Sequence, residues 1–356
     1  MIARALVLLF AALVATGAQA QGFAGLGTQA DGYAIPQRGT TFDFPRDHLA
    51  HPAYRIEWWY LTATLRGEDG ADYGVQWTLF RSAMTPPAPD GAPGVQLWMG
   101  HAGLTTREAH YYAERLGRDS IGVAGVSADP FEAFIDDWRM ASVAAPGADR
   151  LSHLALTARG SDFSYDLSLI ARGPLVPQGE TGYSVKSPAG QASYYYSQPF
   201  YEVSGTLTTP NGQVTVTGQG WLDREWSSQP LAEDQTGWDW FSLSFEDGAR
   251  MMGFGLRASD GGHFTSATWI DPDGTPTPFG DGALRLTPLA TERVNGREVP
   301  VRWRLSLPAR GLEIETRPLN PQSWMGTSFP YWEGPITFEG SHQGRGYLEM
   351  TGYERP

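Results

Sequence analysis

Beyond residue 20 the chain alternates apolar and polar positions with a period of two over one short segment after another, the mark of strands half-buried on a sheet. The clearest segments are 55–65, 73–81, 96–105, 151–158, 163–171, 214–218, 238–245, 301–307 and 346–352. Between them fall turn-forming runs such as Glu68-Asp69-Gly70, Pro210-Asn211-Gly212, Glu246-Asp247-Gly248 and Asp271-Pro272-Asp273-Gly274. No stretch longer than about ten residues after the first twenty carries a 3.6-residue amphipathic period. The expectation is an all-β chain of antiparallel strands closing into sandwiches or barrels. Residues 84–94, 144–150 and 173–193 read as long loops, and such loops over a barrel mouth often serve as lids.

The first twenty residues differ. Arg4 precedes an apolar run from Ala5 to Ala15, and Ala18-Gln19-Ala20 stands before Gln21, which is the layout of a cleaved signal peptide (residues 1–20). The run is shorter than the roughly 20 residues a spanning helix needs. The mature protein is therefore expected to start at Gln21, to be periplasmic or secreted, and not to be an integral membrane protein. Removing 20 of 356 residues leaves 336, enough for two cores. Ser227-Ser228-Gln229-Pro230 interrupts the strand pattern, so the expected domains are 21–228 and 229–356. The absence of cysteine leaves stability to packing rather than disulfides. The net charge is −13, or −14 once Arg4 is gone, which disfavours a nucleic-acid partner. Lys186, the single lysine, sits in a Gly/Pro/Ser-rich stretch and is a weak Schiff-base candidate.

Candidate chemistry gathers at two places. In Glu57-Trp58-Trp59-Tyr60, an extended backbone puts Glu57, Trp59 and Leu61 on one face and Ile56, Trp58 and Tyr60 on the other. A carboxylate among tryptophans either pairs with an arginine or lies on the floor of a ligand cavity, where burial would raise its pKa. In Trp221-Leu222-Asp223-Arg224-Glu225-Trp226, the same logic places Trp221, Asp223 and Glu225 opposite Leu222, Arg224 and Trp226, with Trp238-Asp239-Trp240 following. Indole faces stabilise positive charge and a desolvated acid can donate a proton, so the mixture suits an apolar, alkene-like or cationic substrate; an interdomain seam pinned by arginine–carboxylate pairs explains it equally. An arginine close to both carboxylates would hold them ionised. His101, in Trp98-Met99-Gly100-His101-Ala102, ends an apolar strand and is either a bonded core histidine or a ligand contact. His48 and His51 find no companions at zinc spacing, so no metal is expected. The lack of a Gly-x-Ser-x-Gly elbow, Walker loop or dinucleotide fingerprint gives no reason to expect a cofactor.

These stretches resemble the AttH/CrtC family of lipocalin-like proteins, as do Phe44-Pro45-x-Asp47-His48, Tyr194-Tyr195-Tyr196-Ser197-Gln198-Pro199, Tyr331-Trp332-Glu333-Gly334 and Gly346-Tyr347-Leu348-Glu349-Met350-Thr351-Gly352-Tyr353. The resemblance implies two consecutive lipocalin-like antiparallel β-barrels. In the family's carotenoid 1,2-hydratase branch it implies protonation of an alkene by an Asp-His-x-Trp motif and a downstream Tyr-x-Asp. Here Arg224 stands at the histidine position and no Tyr-x-Asp occurs; arginine does not shuttle protons near neutral pH. The chain looks closer to the exported AttH branch, whose members accompany ABC-type export systems. Two readings result. One is an exported protein binding a lipophilic small molecule beside such an exporter. The other is a hydratase, hydrolase or isomerase acting on an apolar, isoprenoid-like substrate. Its acid–base groups would be Asp223, Glu225 and Glu57, with Trp59, His101, Trp221, Arg224, Trp226, Trp238, Asp239 and Trp240 binding the ligand. A third, an interaction module filled by its own aromatic side chains, would leave no cavity.

Overall fold

In a computed structural model of the chain the described residues are Leu26, 30–118 and 122–353; the expected signal peptide (1–20) and Gln21 lie outside them. Helical backbone among these residues is limited to short 3-10 turns such as Arg46–His48 and Pro308–Arg310. The remaining regular secondary structure among these residues is strand, as the alternation requires.

The first sheet contains β1 (Ile56–Gly67), β2 (Asp72–Ala83), β3 (Gln96–Thr105), β4 (His110–Arg118), β5 (Ala124–Ala128), β6 (Phe131–Ile135), β7 (Trp138–Ser142), β8 (His153–Arg159), β9 (Ser164–Ala171), β10 (Val176–Pro177), β11 (Tyr183–Val185), β12 (Ala192–Thr209) and β13 (Gly212–Ser227). The second contains β14 (Gln235–Phe245), β15 (Arg250–Ala258), β16 (His263–Ile270), β17 (Pro276–Phe279), β18 (Arg285–Val294), β19 (Arg297–Leu307), β20 (Leu312–Pro318), β21 (Trp324–Met325), β22 (Tyr331–Gly340) and β23 (Gly344–Met350). Pairing is antiparallel throughout both. The first runs β4-β3-β2-β1-β13-β12-β9-β8-β7-β6-β5, and the second β17-β16-β15-β14-β23-β22-β20-β19-β18.

Each sheet curls on itself, giving two successive lipocalin-like barrels. Glycines mark where opposite parts of a curled sheet meet. A methyl on Gly117 of β4 would lie 3.1 Å from Ala124 Cβ at the other edge, a tight contact, and one on Gly255 of β15 would lie 2.8 Å from Leu286 of β18, which would have to shift. One interior holds Trp59, Leu61, Trp77, Trp138 and Leu156; the other holds Phe241, Leu243, Trp303, Trp332 and Leu348. A third apolar cluster lies between the barrels and draws on both, with Tyr60, Tyr195, Trp221, Trp240, Phe254 and Tyr347 among its members. The expectation of a structureless loop over 173–193 needs correction. β10 and β11 lie within it and pair with β12, because Val176 and Ser184 are buried there and their backbone finds partners on the neighbouring strand.

Candidate functional site

Strand alternation divides the charged residues of β1 and β13 between two environments. Glu57, Trp59, Arg224 and Trp226 point into the first barrel, while Trp58, Tyr60, Asp223 and Glu225 point outward at the second. Between the outer faces lies a largely apolar cleft of about 210 Å³. Its polar wall includes Tyr60, His101, Lys186, Tyr195, Asp223, Glu225 and Glu349, and its apolar wall includes Trp58, Trp238, Trp240 and Phe254.

Register explains the gathering. Across the first sheet Ser197, Asp223, Tyr60, Thr78, His101 and Glu114 form one cross-strand row, running from β12 to β4. Across the second, Phe254, Trp240, Glu349 and Glu333 form another. The rows meet where the Tyr60 and Trp240 rings pack edge to face, 5.3 Å between centroids.

Asp223 accepts hydrogen bonds from the Tyr195 hydroxyl (2.7 Å), the Ser197 hydroxyl (2.5 Å) and Trp221 Nε1 (2.6 Å). All three donors are neutral. Burial pushes its pKa up to about 7 against these bonds, and the nearby Glu225 carboxylate adds to the rise. Glu349 is also brought to about 7 by burial, opposed by Trp238 and Tyr60 and reinforced by Glu225; Trp238 Nε1 donates to it at 2.5 Å. Glu225 accepts from the Ser193 hydroxyl and pairs with Lys186 Nζ at 2.8 Å. The ammonium lies 4.3 Å from the Phe254 ring centroid and 5.0 Å from that of Tyr195. Two carboxyls able to exchange protons near neutral pH thus sit in an apolar cleft beside one fixed ion pair.

The interior cluster behaves oppositely. Glu57 accepts from Arg81 Nε (2.5 Å), the His51 amide (2.7 Å), His51 Nδ1 (3.0 Å) and Arg224 Nη2 (3.3 Å). Burial alone would raise its pKa, but Arg81, His51 and Arg224 outweigh it and hold the carboxyl well below its usual range. Arg224 also donates to the carbonyls of Trp58 (2.7 Å) and Leu49 (2.8 Å) and covers the Trp59 ring at 3.8 Å. His51 stacks on Trp226.

The profile of the AttH-like family matches residues 35–353. The chain belongs to the AttH-like family. This AttH-like protein is 33% identical to a candidate AttH from Nitrosomonas europaea of known structure, with a TM-score of 0.79 over 90% of this chain and 100% of that one. It is 15% identical to kievitone hydratase from Nectria haematococca (TM-score 0.63, 91% and 98% covered) and 12% identical to CghA, solved with Sch210972 (TM-score 0.55, 92% and 97% covered). The likeness to these last two is one of fold. No curated protein matches.

Of the residues singled out in the AttH-like sequence, the structure brings His101, Asp223, Glu225, Trp238 and Trp240 to the cleft; Glu57 borders it, but its carboxylate is bonded to His51, Arg81 and Arg224 inside the first barrel. Trp59, Arg224 and Trp226 lie inside the first barrel, Asp239 is buried among Arg257 and Tyr353, and Trp221 packs in the seam without lining the cleft. An arginine close to Asp223 and Glu225 would hold them ionised, but the Arg224 guanidinium lies on the opposite face, as the alternation places it, and pairs with Glu57. Glu57, buried against two guanidiniums, takes the ion-pair role rather than that of a raised acid. His48 is bonded to Tyr196 (2.7 Å) and Asp149 (3.0 Å), and among the described residues no three His, Asp or Glu side chains converge as metal ligands. Sequence reasoning did not place Tyr60, Tyr195, Glu333 or Glu349 at the site, and considered Lys186 only as a Schiff-base candidate rather than as the partner of Glu225. One signal was available: Tyr347 and Glu349 share the phase opposite Leu348 and Met350, so a carboxyl shared the buried face of an apolar strand.

Proposed function

We propose that the AttH-like chain binds a lipophilic, alkene-bearing molecule in the inter-barrel cleft and moves protons on it, as a hydratase or double-bond isomerase. The reading rests on two buried carboxyls, Asp223 and Glu349, that titrate near neutral pH on the wall of an apolar cleft. Glu349, with few donors aimed at it, is the acid: its proton forms a C–H bond with one alkene carbon and leaves positive charge on the next. The indoles of Trp58, Trp238 and Trp240 face that charge. Asp223, which accepts three hydrogen bonds, is the base: it takes a proton from the water that forms the C–O bond or, in isomerisation, from the neighbouring carbon. The fold shared with kievitone hydratase agrees with water addition or removal. Arg224, buried in an ion pair, takes no part, so the carotenoid hydration that the histidine motif serves is not expected here.

The test is to incubate the protein with lipids extracted from its own cell envelope in deuterium oxide and to follow deuterium on carbon by mass spectrometry. Products that Glu349→Gln and Asp223→Asn both abolish are expected. A retained lipophile that never gains deuterium on carbon would leave binding alone as the function. The leader and the company kept by AttH-branch proteins also lead us to place the mature chain outside the cytoplasm, beside an ABC-type exporter. Recovery of exported protein beginning at Gln21 is expected, and a chain still beginning at Met1 would defeat that part.

A further inference from the structure

Glu333, on the second sheet, has no role in the chemistry above, yet it is buried beside Glu349 in the cross-strand row. The Tyr60 hydroxyl donates to Glu333 Oε1 at 2.5 Å and also interacts with Glu349. Glu333 Oε2 is buried without a hydrogen-bond partner, and Tyr331, two residues away on the same face of β22, lies close enough to the carboxyl to influence it electrostatically. Tyr331 Oη lies 3.0 Å from His101 Nδ1, with the two rings stacked at 5.6 Å. His101 Nε2 lies 3.1 Å from Glu114 Oε1. Glu114 also accepts from the Ser328 amide (3.0 Å) and hydroxyl (2.8 Å), and its side chain is 22% exposed.

Hydrogen bonds join Tyr60 to Glu333, Tyr331 to His101 and His101 to Glu114; with Glu349 beside Tyr60 and Tyr331 beside Glu333, these groups line up from the cleft toward solvent and cross from the second sheet to the first. We propose that Glu333, Tyr331, His101 and Glu114 are a proton relay that connects Tyr60 and Glu349 with bulk water. The inference rests on the acid–base reading for its use and on geometry for its existence.

The donors and acceptors can be assigned without conflict. Burial, reinforced by the Glu349 carboxyl, raises Glu333 well above the carboxylate range, so it carries a proton at neutral pH. Burial lowers His101, so the ring is neutral. It donates from Nε2 to the Glu114 carboxylate and accepts at Nδ1 from Tyr331, a tautomer set by its neighbours. Tyr331 then accepts from Glu333, Glu333 accepts from Tyr60, and Tyr60 accepts from protonated Glu349. In this state each O–H or N–H can pass its proton one step outward, so that Glu349 ionises and Glu114 gains a proton. The passage reverses every bond, and the reversed chain returns a proton from solvent to Glu349. A buried acid that gives its proton to a substrate needs such a return, and the Gln76 amide, 3.4 Å from Tyr331 Oη, has no titratable proton to contribute.

The experiment follows deuteration of the buried carboxyl by infrared spectroscopy after the folded protein is mixed into deuterium oxide. The wild-type protein is expected to show a protonated-carboxyl band that Glu333→Gln removes. Its deuteration should slow by about 10²-fold in His101→Gln and Glu114→Gln, the scale set by a positioned proton-transfer group. Both substitutions keep a polar side chain, so a structural role alone would leave the rate unchanged. Glu114 is partly exposed, so its variant carries the test if His101→Gln does not fold. An unchanged rate in Glu114→Gln, or no band assignable to Glu333, would overturn the relay. No substrate is needed: turnover with unslowed exchange defeats the relay only, and a slowed exchange in a protein without turnover defeats the acid–base reading only.

Discussion

Glu57 and Asp223 are carried by paired strands, and both are buried, yet their chemistry diverges. Glu57 faces the first barrel's interior, where two guanidiniums and a histidine converge on it. Asp223 faces the seam, where every donor it meets is a hydroxyl or an indole. Burial penalises both anions; the sign of the outcome is set by whether a cation shares the burial. Because side chains alternate along a strand, Arg224 sits between Asp223 and Glu225 in sequence and reaches neither. The interior carboxyl is therefore held ionised and the seam carboxyl is raised, although the same two strands build both.

The largest effect should come from breaking the interior network. Arg224→Ala removes a partner of Glu57 and leaves the Trp58 and Leu49 carbonyls without its donors, so a loss of roughly 3–5 kcal/mol is expected in urea unfolding. A loss below about 1 kcal/mol, the scale of an exposed pair, would show that the interior network is not an anchor.

The comparison sharpens with isosteric amides. Glu57→Gln deprives Arg81 and Arg224 of their counter-ion and should cost about 1.5–3 kcal/mol, the range for hydrogen bonds to charged groups. Asp223→Asn loses no ion pair and one of its acceptor oxygens, and should cost no more than about 1 kcal/mol, the net value of a neutral hydrogen bond. Equal losses in the two variants would erase the distinction.

Much of the fold was legible because period-two alternation is a local property. It gave the strands and the two faces of Glu57-Trp58-Trp59-Tyr60 and of Trp221 to Trp226. The site was legible only in part, because it is built from register. Asp223, Tyr60 and His101 lie on one row only once β13, β1, β2 and β3 are paired, and Glu349 reaches them only when a second sheet packs against the first. The same alternation decides that Trp58 lines the cleft while Trp59 does not. Lys186 looked like a loop residue because its surroundings are Gly, Pro and Ser; its burial against Phe254 and Tyr195 comes from packing between barrels.

A further expected effect is a pH dependence of stability. Asp223 and Glu349 rise from ordinary values of 3.8 and 4.5 to about 7, so between those limits the folded chain binds more protons than the unfolded one. Their contribution is complete below pH about 4 and is lost as pH rises through about 7. Asp47 and Glu114, lowered to about 2, act in the opposite sense: their contribution is present above pH about 4 and is lost as pH falls through about 2. Asp47 is lowered by His51, Asp43 and Arg46 against its burial, and Glu114 by His101 and Ser328. His101 and His110, lowered by burial, favour the folded state as pH rises toward their unfolded value near 6.5, which masks the seam in the wild-type curve alone. The measurement is therefore a difference: urea midpoints of the wild type and of Asp223→Asn/Glu349→Gln at matched pH from 5 to 8, in which the histidine and Asp47 contributions cancel. The wild type should lose stability relative to the double variant as pH rises through about 7. A flat difference would mean that the two seam carboxyls are not raised, and the contrast with Glu57 would then reduce to one of geometry.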